Sequence, residues 1–328
     1  MKIALLGAAG WIGRIAAQSL SSRPEVGELL LVDYNIRDAK RFGKALSPKC
    51  RWSMADAGRT RELGRLLDGA ASVANAVGPC AEYEKGILLA CAEKGTPVAS
   101  IGDGTLSEAD RREIHDAFRR KGTPAVSGCG MMPGWTELLA AHFLPRKAAA
   151  AAERTDRALR RYLFCSLDRF GGYAFFRRAM QAPGRTVLPP PGSPAGSYFA
   201  MGADVFGVPA GRPAGRYRRL GGALGGLGAV GREFSAAILY WLRGSLGAAQ
   251  GTVVAASGVW TGGEDAGGAA SVEDPRGILA GALLAEAALK LAAFAGNGKG
   301  LLPLPDVIGR EEAERIAREG GGTIRVTA

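Results

Sequence analysis

Hydrophobic positions fall into two rhythms along the first 130 or so residues of the chain. Short, nearly continuous apolar runs alternate with longer stretches in which apolar residues recur every three or four positions. The runs predict strands ahead of Gly7 and over Glu28–Asp33, Arg51–Ala55, Ala71–Val77, Pro97–Ile101 and Pro124–Ser127. The longer stretches predict helices between them. One starts at the Gly13 turn, one spans Arg59–Leu67 and stops at Gly69, and one spans Glu84–Lys94 and is closed by Gly95. Another starts at Ser107, with Asp110 placed for a capping box, and ends before Gly122. Strands alternating with helices predict a parallel sheet covered on both faces.

The pattern changes after about residue 145. Lys147–Ala152 is an alanine run that finishes a helix or links domains. Strands are expected within Arg157–Leu167, Tyr198–Phe206 and Gly251–Trp260, a short helix over Glu233–Leu242, and turns at Gly262–Gly268. Pro183–Gly196 reads as a loop or lid connection. Gly221–Gly231 holds six glycines in eleven residues, too many for a stable helix interior, and reads as a mobile loop. Pro275 is placed to open a long Ala/Leu helix to Phe294. A Leu/Pro tail from Leu301, a helix over Arg310–Arg318 and a final strand from Thr323 close the chain. The expected fold is α/β: an N-terminal Rossmann-type doubly wound parallel sheet over 1–145, then an α+β substrate and dimerisation domain with a mainly antiparallel sheet over 146–274. Residues 275–328 form a C-terminal helix and tail.

The first strand leads directly into Gly7-Ala-Ala-Gly10-Trp-Ile-Gly13. A strand, three glycines at this spacing and a helix start form the setting in which such glycines hold a dinucleotide pyrophosphate. Gly7 permits the turn, Gly10 lets the backbone approach the phosphates, and Gly13 lets the helix lie close to the strand. The helix N-terminus adds N–H groups and partial positive charge. Asp33 ends the second strand twenty residues after Gly13, where a carboxylate accepts both ribose hydroxyls of NAD and repels a 2′-phosphate. Arg37 could instead pair with the phosphate of NADP, and Asp33 could simply cap the next helix. The expected contact set is Gly7, Ala9, Gly10, Trp11, Ile12 and Gly13, with Asp33, Tyr34, Asn35 and Arg37. The expected cofactor is NAD, with NADP possible.

Further segments carry a resemblance. Val77-Gly-Pro-Cys-Ala-Glu-Tyr83, Ala90-Cys-Ala-Glu-Lys-Gly-Thr-Pro-Val98, Gly102-Asp103 and Gly128-Cys-Gly-Met-Met-Pro-Gly-Trp-Thr-Glu-Leu-Leu-Ala140 resemble the saccharopine dehydrogenase superfamily. That group includes saccharopine reductases, lysine 6-dehydrogenases, carboxynorspermidine dehydrogenases and trans-acting enoyl reductases. The likeness covers residues 1–145 and, more faintly, about the last fifty; the middle resembles no particular member. It implies that Asp56 lies near the adenine, and that Ala76, Val77, Gly78 and Pro79 run beneath the nicotinamide ribose. It also implies that the Gly128–Gly134 loop borders the reacting carbon, and that the C-terminal helix packs back on the first domain.

Candidate chemistry is sparse. Asp103 could pair with a substrate ammonium or relay a proton, or be a turn acid. Tyr83 could donate its hydroxyl near the nicotinamide, or be an aromatic packed on the sheet. Cys129 could act as a thiol acid, or fill a tight loop. Met131, Met132 and Trp135 could wall the nicotinamide or belong to the core. Arg169 and Arg177, with Arg178, could clamp substrate carboxylates or sit on the surface. His115 is expected to face solvent and His142 to pack. No tyrosine is followed by lysine four positions later, and two histidines offer no metal cluster, so no metal is expected. The reading is an NAD(P)-dependent oxidoreductase moving hydride to or from a C=N bond or a similar small activated group. One rival is an enoyl reductase for a carrier-bound or lipid substrate. Another is a non-catalytic dinucleotide-binding protein.

Composition adds bounds. The chain has 328 residues, enough for two domains with real cores. Five scattered cysteines without a Cys-x-x-Cys fit a reducing, cytoplasmic setting. The most apolar stretch, Leu220–Leu242, contains Arg232 and Glu233, so no integral membrane segment is expected. Residues 146–250 hold sixteen Lys/Arg against five Asp/Glu, which equals the whole net charge of +11. This is either an electropositive cleft for an anionic small-molecule substrate or an Arg-rich solvated surface. No nucleic-acid module is recognisable, and a homodimer through the second domain's sheet is expected.

Overall fold

The computed structural model describes residues 1–146, 159–165, 185–187, 199–202, 206–209, 237, 253–260, 266–294 and 298–327. The chain divides into two compact units: Met1–Gly134 with Ile278–Ile316, and Trp135–Gly277 with Ala317–Ala328.

The first unit is built on seven strands: β1 (Lys2–Leu6), β2 (Glu28–Asp33), β3 (Cys50–Met54), β4 (Ser72–Asn75), β5 (Val98–Ser100), β6 (Pro124–Ser127) and β13 (Gly300–Leu302). Every pairing is parallel, in the order β13-β6-β5-β4-β1-β2-β3. The order reverses between β1 and β4, the place at which a doubly wound sheet has its crevice, at the carboxyl ends of the strands. Five helices connect the strands: α1 (Trp11–Ser21), α2 (Ile36–Leu46), α3 (Thr60–Leu66), α4 (Cys80–Lys94) and α5 (Glu108–Lys121). A later helix, α7 (Leu279–Ala292), packs on α1 and across β4, β5 and β6.

Strand alternation divides the apolar residues between two layers. Ala4, Leu6, Leu30, Val32 and Val73 share one core with Leu63 of α3, Ile87 and Leu88 of α4, and Ile114 and Phe118 of α5. On the opposite face, Gly43 of α2 lies against Leu31. The inner strands, buried on both faces, read as continuous apolar runs, whereas the edge strand β3 keeps Arg51 and Met54 exposed. The Ser107–Asp110 capping box forms as expected, with the Ser107 hydroxyl accepting the Asp110 N–H at 3.1 Å.

Several boundaries differ from expectation. α4 begins at Cys80 rather than Glu84, because Pro79 takes the N-cap position and the turn after it is already helical. α7 begins at Leu279 rather than Pro275, since a turn ending at Gly277 intervenes. The Leu301 segment is no mere tail: β13 pairs with β6. Three residues between a glycine and a proline carry no periodicity, so only the long-range pairing reveals that strand. His115 is half-buried rather than solvent-facing, with its ring against Gly300 of β13 and Nδ1 3.4 Å from the Leu301 carbonyl.

The second unit contains α6 (Trp135–His142) and a seven-stranded sheet: β7 (Leu159–Cys165), β8 (Arg185–Val187), β9 (Phe199–Gly202), β10 (Phe206–Pro209), β11 (Val253–Trp260), β12 (Ala266–Asp274) and β14 (Thr323–Thr327). The order is β14-β12-β11-β7-β9-β10-β8; all pairings are antiparallel except β8 with β10. α6 packs on β11 and β12. β12 begins inside the expected Gly262–Gly268 turn, and β8 inside the expected Pro183–Gly196 loop. The Lys147–Ala152 run, the Gly221–Gly231 loop and most of the expected Glu233–Leu242 helix lie outside the described residues.

Glu286 of α7 is a buried carboxylate held between two cations, Arg23 at 2.8 Å and Arg315 of helix α8 (Arg310–Glu319) at 2.7 Å. It pins α7 to the segment after α1 and to the chain beyond β13. Removing one member of a buried ionic cluster leaves the others poorly compensated. Glu286→Ala is expected to lower stability by about 2 kcal/mol, less than a fully buried pair would lose because both arginines keep some solvent. Urea denaturation followed by circular dichroism measures it.

Candidate functional site

The crevice begins at the glycine loop. Gly7 has φ +76°, which turns the chain out of β1, and its N–H donates to the Val32 carbonyl at 2.9 Å. A Cβ on Gly7 would come within 2.8 Å of the Ala76 backbone. A Cβ on Gly13 would collide with the Gly7 carbonyl oxygen. The loop after β1 is therefore packed backbone to backbone against α1 and against the segment leaving β4. Gly10 is the N-cap of α1, and no side chain caps that end.

Asp33 is turned into this loop. Its Oδ2 accepts the Ala9 N–H at 2.8 Å and its Oδ1 accepts the Asn35 N–H at 2.8 Å. Asn35 caps α2 by accepting the Asp38 N–H. Arg14 fixes the loop from the other side: Nε donates to the Ala9 carbonyl at 2.9 Å, and the guanidinium lies over the Phe42 ring. Trp11 and Tyr34 are exposed at 59% and 76%, large aromatic surfaces at the carboxyl ends of β1 and β2. Ile12 is half-buried and Arg37 exposed. Asp56, just past β3, accepts the Gly58 N–H at 2.9 Å and sits near Arg59. Val77 is half-buried and Gly78 exposed, and Pro79 follows a cis bond from Gly78.

The catalytic candidates are placed as follows. Asp103 accepts both the N–H and the hydroxyl of Thr105, the arrangement of a turn acid. Tyr83 is half-buried against the core shared by α3, α4 and α5. Cys129 is fully buried, and its N–H donates to the Ser100 carbonyl at 2.8 Å. Met131 and Met132 are half-buried, while Trp135 is fully buried at the start of α6. Arg169, Arg177 and Arg178 lie outside the described residues. Among the described residues, no group of three or more His, Cys, Asp or Glu could hold a metal, and no helix is long and apolar enough to cross a membrane.

Sequence reasoning missed Arg14 and a buried polar cluster at the ends of β4, β5 and β6. Glu84 is 1% exposed. Its Oε1 accepts the hydroxyls of Ser100 and Ser127, each at 2.7 Å. Asn75 continues the cluster by donating to Ser100. Burial pushes the Glu84 carboxyl above its ordinary value, and the Asp103 charge adds to this; the two hydroxyls and Arg111 pull the other way. Cys80, at the start of α4, is likewise pushed up, by burial first and then by Asp103 and Glu84. A signal for Glu84 was available: it precedes Ile87 by three positions and Leu88 by four, which puts it on the inward face of its helix.

No family model matches the chain, and no curated protein matches it in sequence. Among solved structures, the chain is similar to the apo saccharopine dehydrogenase (L-Glu forming) of Saccharomyces cerevisiae: TM-score 0.61, 10% identity, with 100% of both chains covered. It shares that protein's fold. Triphenylmethane reductase of Citrobacter sp. aligns over 38% of this chain and 48% of its own, at 15% identity and TM-score 0.31. The quinone oxidoreductase QOR2 of Escherichia coli aligns over 38% and 47%, at 20% identity and TM-score 0.30.

The raised Glu84 carboxyl has a stability consequence. The unfolded chain ionises this group near its ordinary 4.5, while the folded chain resists doing so. Its stabilising contribution is complete below that value and is lost as pH rises through the folded value. Glu84→Gln cannot ionise. Its melting temperature relative to wild type should therefore climb as pH is raised from 4 through neutrality, measured by differential scanning calorimetry. A constant difference over that range would contradict the upward shift of the Glu84 carboxyl.

Proposed function

We propose that the chain is an NAD(P)-dependent oxidoreductase. The observation that carries this reading is the glycine loop: Gly7 and Gly13 leave no room for a Cβ, and the uncapped end of α1 begins where the strand order reverses. These residues fit a dinucleotide, whose pyrophosphate needs close backbone approach and the positive end of a helix. Gly7, Ala9, Gly10, Trp11, Ile12 and Gly13 would hold the pyrophosphate. Asp33, Tyr34, Asn35 and Asp56 would hold the adenosine, and Ala76, Val77, Gly78 and Pro79 would run beside the nicotinamide ribose. Asp33 lies with its charge against the loop, which supports NAD over NADP; Arg37 is the residue that would favour the phosphate.

When bound, the dinucleotide supplies or accepts hydride. The reading extends to a C=N bond formed from an amine and a carbonyl, and the fold shared along both full chains with a saccharopine dehydrogenase supports it. An iminium is already electrophilic, so this chemistry needs charge complementarity more than a strong acid. Asp103 would supply that complementarity, with Tyr83 and Cys129 as further polar groups and Met131, Met132 and Trp135 as apolar neighbours. Arg169 and Arg177, in the basic 146–250 segment, would draw a carboxylated small molecule. A cytoplasmic homodimer joined through the second sheet completes the proposal.

Titration with NADH and NADPH, followed by nicotinamide fluorescence, tests the core of the reading; failure of both to bind below about 1 mM would end it. Asp33→Ser should weaken NADH by about tenfold or more, since a charged hydrogen-bond acceptor and a loop brace are lost together. Stronger NADH binding by this variant would show that Asp33 does not read the ribose. Oxidation of NADH with mixtures of amino acids and keto acids, and not with acyl-carrier substrates, is the outcome expected for C=N chemistry.

A further inference from the structure

Two strand ends of the first unit meet at one carboxyl oxygen, and a third joins them through one of the hydroxyls. Oε1 of Glu84 accepts the hydroxyl of Ser100, which ends β5, and the hydroxyl of Ser127, which ends β6. Ser100 Oγ in turn accepts an N–H from Asn75 Nδ2, at the end of β4, at 3.0 Å. The order of donation is set throughout. Asn75 Oδ1 accepts the Val77 N–H at 3.1 Å, so the chain of bonds runs on into the segment leaving β4. From Ser100 it also runs the other way, because the Ser100 carbonyl accepts the Cys129 N–H at 2.8 Å.

The carboxyl is closely covered. Gly102 has φ +42°, and a Cβ there would lie 2.5 Å from Ser127 Oγ and 2.9 Å from Glu84 Oε1. Oε2 is buried and has no hydrogen-bond partner among the described residues. An apolar core would have filled this space at lower cost, because a half-satisfied buried polar network is worse than hydrophobic packing. Its bonds reach two backbone segments, the Val77 N–H through Asn75 and the Cys129 N–H through Ser100. The charged and titratable groups that bear on it are Asp103 after β5, Arg111 on α5 and Cys80 at the start of α4.

We propose that Glu84 is a positioning residue for the nicotinamide half of the dinucleotide, holding Val77–Gly78 in register with Gly128–Cys129 through Asn75, Ser100 and Ser127. This rests on the dinucleotide reading and adds a residue that does not touch the ligand. One oxygen shared by two hydroxyls couples the two segments, so a shift of either is passed to the other. The adenosine half is bound by the loop after β1 and by Asp33, which share no hydrogen bond with this cluster among those described.

The full-length protein, Glu84→Ala and Glu84→Gln are compared in two measurements. The first is amide hydrogen exchange without ligand. Glu84→Ala should speed exchange about tenfold or more in peptides covering 75–79 and 127–131, and leave 7–13 within about twofold. Glu84→Gln, which keeps an Oε1 acceptor, should restore most of the protection. The second is affinity for NADH and for ADP-ribose, which lacks the nicotinamide. Glu84→Ala should weaken NADH by about tenfold and ADP-ribose by less than about twofold, with Glu84→Gln recovering NADH binding. Equal weakening of both ligands, unchanged NADH binding, or a uniform rise in exchange across the first unit would each overturn the positioning role while leaving the dinucleotide reading intact. Wild-type protein that binds neither ligand would overturn both.

Discussion

The crevice depends on how closely three stretches of backbone approach one another. The Gly7 carbonyl lies where a side chain on Gly13 would have to be, and the Ala76–Val77 backbone lies where a side chain on Gly7 would have to be. Close packing of main chain on main chain brings the start of α1, which no side chain caps, up against the exit of β1. The same proximity joins the exits of β1 and β4, the two strands between which the connections change direction. Shape and polarity at the site thus follow from residues that have no side chain.

Around that contact the polar side chains act as braces. Asp33 and Arg14 both bond to Ala9, one at its N–H and one at its carbonyl, so a loop residue with little of its own to anchor is held from two sides. Glu84 does similar work at the far end of the crevice with neutral hydroxyls. The two braces differ in electrostatic cost. Asp33 keeps solvent contact and two N–H partners, whereas Glu84 is taken out of water. Helix α7 supplies the rigid backing, with the Ser72 hydroxyl donating to the Ala288 carbonyl at 2.7 Å and Glu286 clamped by two arginines.

Likeness of fold without likeness of sequence is consistent with this division. At 10% identity over two full chains, little can be shared beyond apolar periodicity, turn positions and a few glycines. Those features are sufficient for a doubly wound sheet, because they decide which faces are buried and where the chain reverses. They leave the substrate open, since substrate recognition belongs to individual side chains placed on the frame.

Strands β1 to β6, helices α1, α3, α4 and α5 and the glycine loop were legible in the chain itself, whereas the range of α2 was not. Each rests on local rules: a continuous apolar run, a helical repeat, a cap such as Ser107–Asp110, a glycine where the turn needs one. β13 was not legible, and for the Glu84 cluster only the inward face of Glu84 was, not its partners. β13 is three residues whose meaning comes from pairing with β6, and Glu84 is one acid among several on a charged helix. Asp103 shows the same division: its position at the end of β5 is local information, but its bonds to Thr105 appear only in the folded chain. Periodicity records what a residue's neighbours in sequence require. Which distant strand ends converge on one oxygen, and how far burial shifts a carboxyl, are set by contacts between segments far apart in the chain, and only the tertiary structure decides them.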